Sequence, residues 1–223
     1  YFEKRPDLEK AVSDKKDFKM LSLLQEISEM ADISVVIQKE QLGLGHAILQ
    51  AQSSLGNHPF AVLLPDDLIL NDDPTIGGMC SVSEQTEGMV VAIRQVSKES
   101  IPNLGIVEMG QDYGRTVEIL RMIEKPSLES APSNMAIVGR YVLPVEIFEH
   151  IRNTSPGSLG EIQLTDSMTA LLKTTACTGY RFPGAHFDVG TPLGMLEASL
   201  HIGITRYGFD FEQSNLKRNR NYL

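Results

Sequence analysis

Carboxylates stand at the ends of three apolar runs in this sequence, each where a side chain can meet a ligand. Phe60-Ala61-Val62-Leu63-Leu64 gives way to Pro65-Asp66-Asp67, Ile123 to Glu124-Lys125-Pro126, and Phe187 to Asp188-Val189-Gly190-Thr191-Pro192. Magnesium is usually held by one or two carboxylates, with substrate phosphates and water completing the shell. Asp66, Asp67 and Asp188 are therefore candidate metal carboxylates. A carboxylate such as Glu124 suits sugar hydroxyl donors, and an ammonium such as Lys125 suits a phosphate. Neighbours on an extended chain point to opposite faces, so Glu124 and Lys125 need not pair and can contact different parts of one ligand. In a fourth segment, Gln38-Lys39-Glu40-Gln41-Leu42-Gly43-Leu44-Gly45-His46-Ala47, two glycines before a helical pattern let backbone N–H groups approach a ligand. Gln38 offers both a donor and an acceptor to a base edge. Plainer explanations stand beside each segment: a strand-to-helix turn, a capping aspartate, two solvated charges at a strand end, and an acid at a helix start.

The elements that must position these residues alternate. From Leu8 to Met30 the apolar spacing is loosely helical and predicts one amphipathic helix or a broken pair. Ile33 to Ile37 is rich in β-branched residues and predicts a strand, followed by the Gly43/Gly45 turn and a helix from His46 to Leu55. Phe60 to Leu64 is apolar on both faces, as expected in the middle of a parallel sheet covered by helices. A helix over Thr75 to Gln85 and a strand over Gly88 to Gln95 follow. This order argues for a doubly wound α/β sheet, with ligands beyond the carboxyl ends of its strands. Ile106 to Met109, the turn Gln111 to Gly114, and Thr116 to Glu124 predict a hairpin, hence antiparallel additions. Strands are expected at Met135 to Leu143 and Cys177 to Phe182. Helices are expected at Glu161 to Lys173 and Pro192 to Arg206, the latter with proline in its first turn.

The 223 residues carry 20 basic and 29 acidic side chains, a formal net charge of -9, with 42% hydrophobic residues. That is enough for one sizeable core, and a single domain over 1-223 is the default. The acidic balance argues against nucleic acid or anionic lipid as a partner. Lys217, Arg218 and Arg220 read as a solvated end. Cys80 and Cys177 share no metal-ligand spacing and read as small buried apolar residues. No run suggests a membrane span or a signal-peptide core, so a cytoplasmic location is expected.

In order and spacing, these segments resemble the bacterial UTP:glucose-1-phosphate uridylyltransferases of the sugar nucleotidyltransferase superfamily. The resemblance runs from Gln38 to about His201. It includes Gln38-Lys39-Glu40, Leu42 to Ala47, Leu64-Pro65-Asp66-Asp67, Glu124-Lys125-Pro126, Ala131 to Tyr141, Gly160 to Asp166 and Asp188-Val189-Gly190. It implies a Rossmann-like, mainly parallel sheet of the nucleotide-diphospho-sugar transferase type. It implies Gln38 and Gly43 on uracil, Gly105 and Glu124 on glucose, Lys125 on the sugar phosphate, Mg2+ on Asp66 and Asp188, and Asp67 nearby or toward the ribose. Ala131 to Tyr141 and Gly160 to Asp166 would wall the sugar pocket, with Asp166 and His46 in structural roles. The implied reaction consumes UTP and glucose 1-phosphate and yields UDP-glucose and pyrophosphate, in a homodimer or homotetramer.

Two departures accompany the resemblance. The family's amino-terminal loop, Gly-x-Gly-Thr-Arg with a downstream lysine, is expected before Tyr1, together with the first strand or strands of the sheet. Ala185-His186 stands where many relatives are basic, which leaves Lys125 more of the sugar-phosphate charge. A transferase for another nucleotide or sugar, such as a thymidylyltransferase, and a silent regulatory homologue or fragment are the competing expectations.

Overall fold

The computed structural model describes residues 4–157 and 160–210, and their contacts divide them between one unit up to Glu40 and another from Gln41 onward. In the first, the broken pair predicted for residues 8–30 is present as α1 (Pro6–Asp14) and α2 (Phe18–Glu29). Pro6 opens α1 at a position where its missing N–H costs nothing. Asp17 caps α2 by accepting from the Met20 N–H at 3.1 Å. The strand expected over Ile33 to Ile37 does not form: these residues join no ladder among the described residues, and Val35 and Ile37 are exposed. β-branched composition favours a strand only where a neighbour supplies the other half of each hydrogen bond.

The second unit begins with α3 (Gly43–Gln50) and α4 (Gln52–Leu55). Its strands are β1 (Phe60–Leu63), β2 (Asp67–Leu70), β3 (Met89–Gln95), β4 (Gly105–Asp112), β5 (Thr116–Glu124), β6 (Met135–Leu143), β7 (Cys177–Arg181) and β8 (Ala185–Asp188). Six of them form a sheet in the order β1-β6-β3-β7-β5-β4, and β2 pairs with β8 as a separate ribbon. Helices cover both faces of the sheet. On one, Met79 of α5 (Thr75–Thr86) packs with Val90, Ala92, Val138 and Val142. On the other, Phe148 and Ile151 of α6 (Ile147–Asn153) and Met168 and Leu171 of α7 (Leu164–Leu171) pack with Val91, Ile93 and Leu143.

The layered α/β arrangement agrees with the expectation; the mainly parallel sheet does not. Among the described strands the β3/β7 pairing is parallel and the others are antiparallel. The hairpin β4–β5 is one physical reason: strands joined by a tight turn at Asp112 to Thr116 can only run antiparallel. Among the described strands β1 lies at the sheet's edge, and Leu63 is 52% exposed. The hairpin, β3, β6 and β7 stand close to where the sequence places them. α7 starts three residues later than expected. Cys177 is buried and its thiol is pushed up to about 12 by desolvation, whereas Cys80 is half-buried. The last described helix, α8 (Pro192–Tyr207), has Pro192 in its first turn as predicted, and the Thr191 hydroxyl caps it by accepting from the Gly194 N–H at 3.1 Å. No described helix is long and apolar enough to cross a membrane.

Candidate functional site

Asp66 follows β1 after Leu64-Pro65, and Asp188 closes β8. The antiparallel β2–β8 ribbon sets Asp67 opposite Asp188, and the Val189 N–H donates to the Asp66 carbonyl at 2.8 Å. The two candidate metal carboxylates are thereby brought together. A Cβ on Gly190 would lie 3.1 Å from Asp66 Oδ2 and 3.1 Å from Asp188 Oδ1. The carboxylate oxygens are therefore at most twice that distance apart. Asp188 is held from behind as well: Gly190 N–H donates to its Oδ1 at 3.0 Å, and a Cβ on Gly194 would fall 1.8 Å from its carbonyl oxygen. Glycine is required there for α8 to start against Asp188. Both carboxylates line a cleft of about 620 Å3 that also takes in Asp67, His186, Arg94 and Asn103.

Asp67 sits differently. Its Oδ2 accepts from the Gly139 N–H at 2.9 Å, and its Oδ1 bonds to His186 Nε2. Gly139 is obligatory, because a Cβ there would come within 2.3 Å of Asp67 Oδ2 and 2.6 Å of Leu64 Cβ. Arg140 on β6 donates to the Leu64 carbonyl at 2.9 Å and to the Asp67 carbonyl at 2.5 Å. Arg94 on β3 donates to the His186 carbonyl at 3.1 Å.

A second cavity of about 190 Å3 adjoins the first through Asp67, Asn103, Leu104 and Ile137, and its walls include Gly105, Glu124, Gly139, Tyr141 and Thr165. Gly105 and Glu124 face each other across the hairpin, and the Thr165 hydroxyl in the first turn of α7 donates to Glu124 Oε2 at 2.7 Å. Lys125 departs from the extended geometry expected of it. With φ at 45° it turns the chain after β5, and its ammonium lies 4.0 Å from Glu124 Oε1. The two neighbours thus meet where a strand would have separated them. Tyr141, between the two cavities' acids, is buried. Desolvation first, then the charges of Asp67, Glu124 and Asp66, hold its phenol far above the ordinary tyrosine range.

The glycine segment has a packing explanation. Gly43 takes φ 87°, and a Cβ on it would meet Glu161 Cβ at 2.8 Å. The Gly45 N–H donates to the Ile162 carbonyl at 3.0 Å, and the Ile162 N–H to the Leu42 carbonyl at 2.8 Å. Gln38 belongs to the amino-terminal unit. His46 bonds within α3 to Gln50 at 3.0 Å, in keeping with a structural role. Asp166 lies in the first turn of α7, where the helix dipole favours an acid.

Sequence reasoning did not single out Arg94; it took Arg140, Tyr141 and Thr165 only within the runs expected to wall the sugar pocket, and it marked His186 only as a departure from the family pattern. The apolar run Leu68-Ile69-Leu70 was the signal for β2, masked by the preceding Pro65-Asp66-Asp67, which reads as a turn.

The nucleotidyl transferase family profile matches residues 7–203. UTP–glucose-1-phosphate uridylyltransferase 2 of Staphylococcus saprophyticus is 37% identical over 204 residues, which is 92% of this chain and 71% of that protein. A UDP-glucose pyrophosphorylase solved with UDP-glucose superposes with a TM-score of 0.82 at 36% identity, over 92% of this chain and 76% of that one. UTP-bound UGPase from Acinetobacter baumannii superposes with a TM-score of 0.85 at 35% identity, over 99% and 77% respectively. With the paired acids, the hairpin pocket and these relatives in agreement, the chain belongs to the nucleotidyl transferase family and, within it, to the UTP–glucose-1-phosphate uridylyltransferases.

Proposed function

We propose that the chain transfers a uridylyl group from UTP to glucose 1-phosphate. A phosphate oxygen of the sugar phosphate attacks the α-phosphorus of UTP, the bond to the bridging oxygen breaks, and pyrophosphate leaves. No protein nucleophile is needed, since positioning and charge neutralisation carry such transfers. The observation that carries this function is the convergence of Asp66 and Asp188 over Gly190, beside a pocket walled by Gly105, Glu124 and Thr165.

The paired acids fit Mg2+: two exposed carboxylates converge at an open cleft with room for phosphate oxygens and water. Magnesium there would neutralise charge on the phosphate oxygens. Glu124, fixed by Thr165, would accept from glucose hydroxyls with the Gly105 backbone beside it. Lys125 would meet the sugar phosphate, its positive-φ turn after β5 setting the ammonium beside Glu124. Gly43, at the turn that opens α3, would read uracil. Asp67, held by Gly139 and His186 through one bond on each oxygen, would stand beside the metal acids or toward the ribose. A cytoplasmic homodimer or homotetramer completes the proposal, and light scattering reads the assembly.

The test is direct: the protein is incubated with glucose 1-phosphate, Mg2+, and either UTP or dTTP. UDP-glucose and pyrophosphate should form from UTP. Turnover of dTTP in preference would move the chain to a thymidylyl enzyme.

A further inference from the structure

The β2–β8 ribbon has four residues in each strand, and a two-stranded ribbon is marginal by itself. Each strand is tethered separately to the large sheet. Arg140 on β6 holds the Leu64 and Asp67 carbonyls on the β2 side, and Arg94 on β3 holds the His186 carbonyl on the β8 side. Across the ribbon the backbones are joined by the β2–β8 ladder and by the Val189 N–H on the Asp66 carbonyl at 2.8 Å. Among the described residues, two side-chain bonds cross between the ribbon's halves: Asn71 Nδ2 donates to the Pro183 carbonyl at 3.0 Å at the end away from the acids, and His186 Nε2 bonds to Asp67 Oδ1 at the end that carries them. Asp67 pairs with Asp188 and Ile69 with His186, so Asp67 and His186 are diagonal neighbours on one face. Asp67 directly follows Asp66, and His186 precedes Asp188 by two positions. The bond therefore spans the ribbon where the separation of the two acids is set. Both side chains are largely withdrawn from solvent, at 19% and 13% exposure.

We infer that Asp67 and His186 form a positioning pair that fixes the spacing of the Asp66 and Asp188 carboxylates and, through it, affinity for the metal and its nucleotide. The inference rests on the metal assignment proposed above. Partners that orient metal ligands without touching the metal commonly change metal affinity about 10- to 100-fold when lost.

The test uses the full chain and three variants. His186→Phe keeps a ring beside Phe182, which meets His186 edge-on at 6.1 Å between centroids, but loses the hydrogen bond. His186→Gln keeps an N–H at the right reach. Asp66→Asn tests the metal assignment by itself. Mn2+ affinity in the presence of UTP is read by electron paramagnetic resonance, and exchange of the Val189 and Gly190 amides by mass spectrometry. Steady-state kinetics give kcat and KM. In His186→Phe, Mn2+ binding should weaken about tenfold and the two amides exchange about tenfold faster. kcat should fall while KM for glucose 1-phosphate stays within about twofold, and His186→Gln should recover most of each loss. Unchanged Mn2+ affinity and exchange in His186→Phe would overturn the inference. So would equal damage in the Phe and Gln variants, which would assign the effect to the ring and not to the bond. If Asp66→Asn binds Mn2+ as the parent does while His186→Phe still loosens the amides, the metal assignment fails and the pair remains a clamp on the ribbon.

Discussion

On one side of Tyr141 the candidate residues come from a single hairpin and the helix that folds against it. Gly105 and Glu124 are paired across β4 and β5, Lys125 follows in the next position, and Thr165 reaches Glu124 from the first turn of α7. On the other side, Asp66 and Asp188 meet through a ribbon whose bonded residues Asp67 and His186 are 119 positions apart. The hairpin side is made by local chemistry: a turn, alternating side chains and one side-chain bond. The ribbon side depends on two arginines, two obligatory glycines and one Asp–His bond. Tight tolerances follow from that construction, and substitutions should hurt the ribbon side more.

The largest effect is expected for Asp188→Asn, which keeps shape and removes the charge. kcat should drop on the order of a thousandfold, with folding intact by thermal melt. A loss under about tenfold would remove Asp188 from the reacting centre. Gly139→Ala comes next. Its Cβ would collide with Asp67 Oδ2 and Leu64, so about 1–3 kcal/mol of stability should be lost, read by denaturant titration, with activity falling about tenfold or more. Full activity in that variant would show that the ribbon tolerates slack.

Lys125→Ala should raise KM for glucose 1-phosphate about 10- to 100-fold, the worth of one charge-assisted contact, and leave KM for UTP within about twofold. Equal losses on both substrates would contradict the division of the site into a sugar side and a nucleotide side. The smallest effect is Thr165→Val, which removes the hydroxyl holding Glu124. About 1 kcal/mol, or roughly fivefold in KM for glucose 1-phosphate, is expected, with Thr165→Ser close to the parent. If Thr165→Val cost more than Gly139→Ala, the ranking of the two sides would be reversed.

The same contrast explains what the sequence made legible. The hairpin from Gly105 to Glu124 announces itself through the Asp112-Tyr113-Gly114 turn, and the buried run Met135 to Leu143 through its length and β-branched content. Such signals lie within a few residues of one another. The ribbon does not: Pro65-Asp66-Asp67 looks like a turn, and nothing near Leu68 says that its partner is Phe187. Strand direction was also hidden, since an apolar run such as Phe60 to Leu64 is the same string in a sheet's centre and at its edge, and only the neighbours decide. At Ile33 to Ile37 composition favoured a strand and pairing was lacking. α6 went unread although Ile147, Phe148 and Ile151 carry a helical spacing after Pro144. Lys125 was placed on a strand that its own positive φ ends.

The distance along the chain between the ribbon's two halves also sets when the acids can meet. Closing a loop of that length costs entropy that no local contact repays, so β2 and β8 join only after the large sheet has brought Arg94 and Arg140 into place. During refolding the sugar pocket should therefore exist before the paired acids do, and recovery of Mn2+ binding should lag recovery of the far-ultraviolet signal. Simultaneous recovery would mean that the ribbon forms with the core. A chain caught in that interval would have its fold and lack its chemistry.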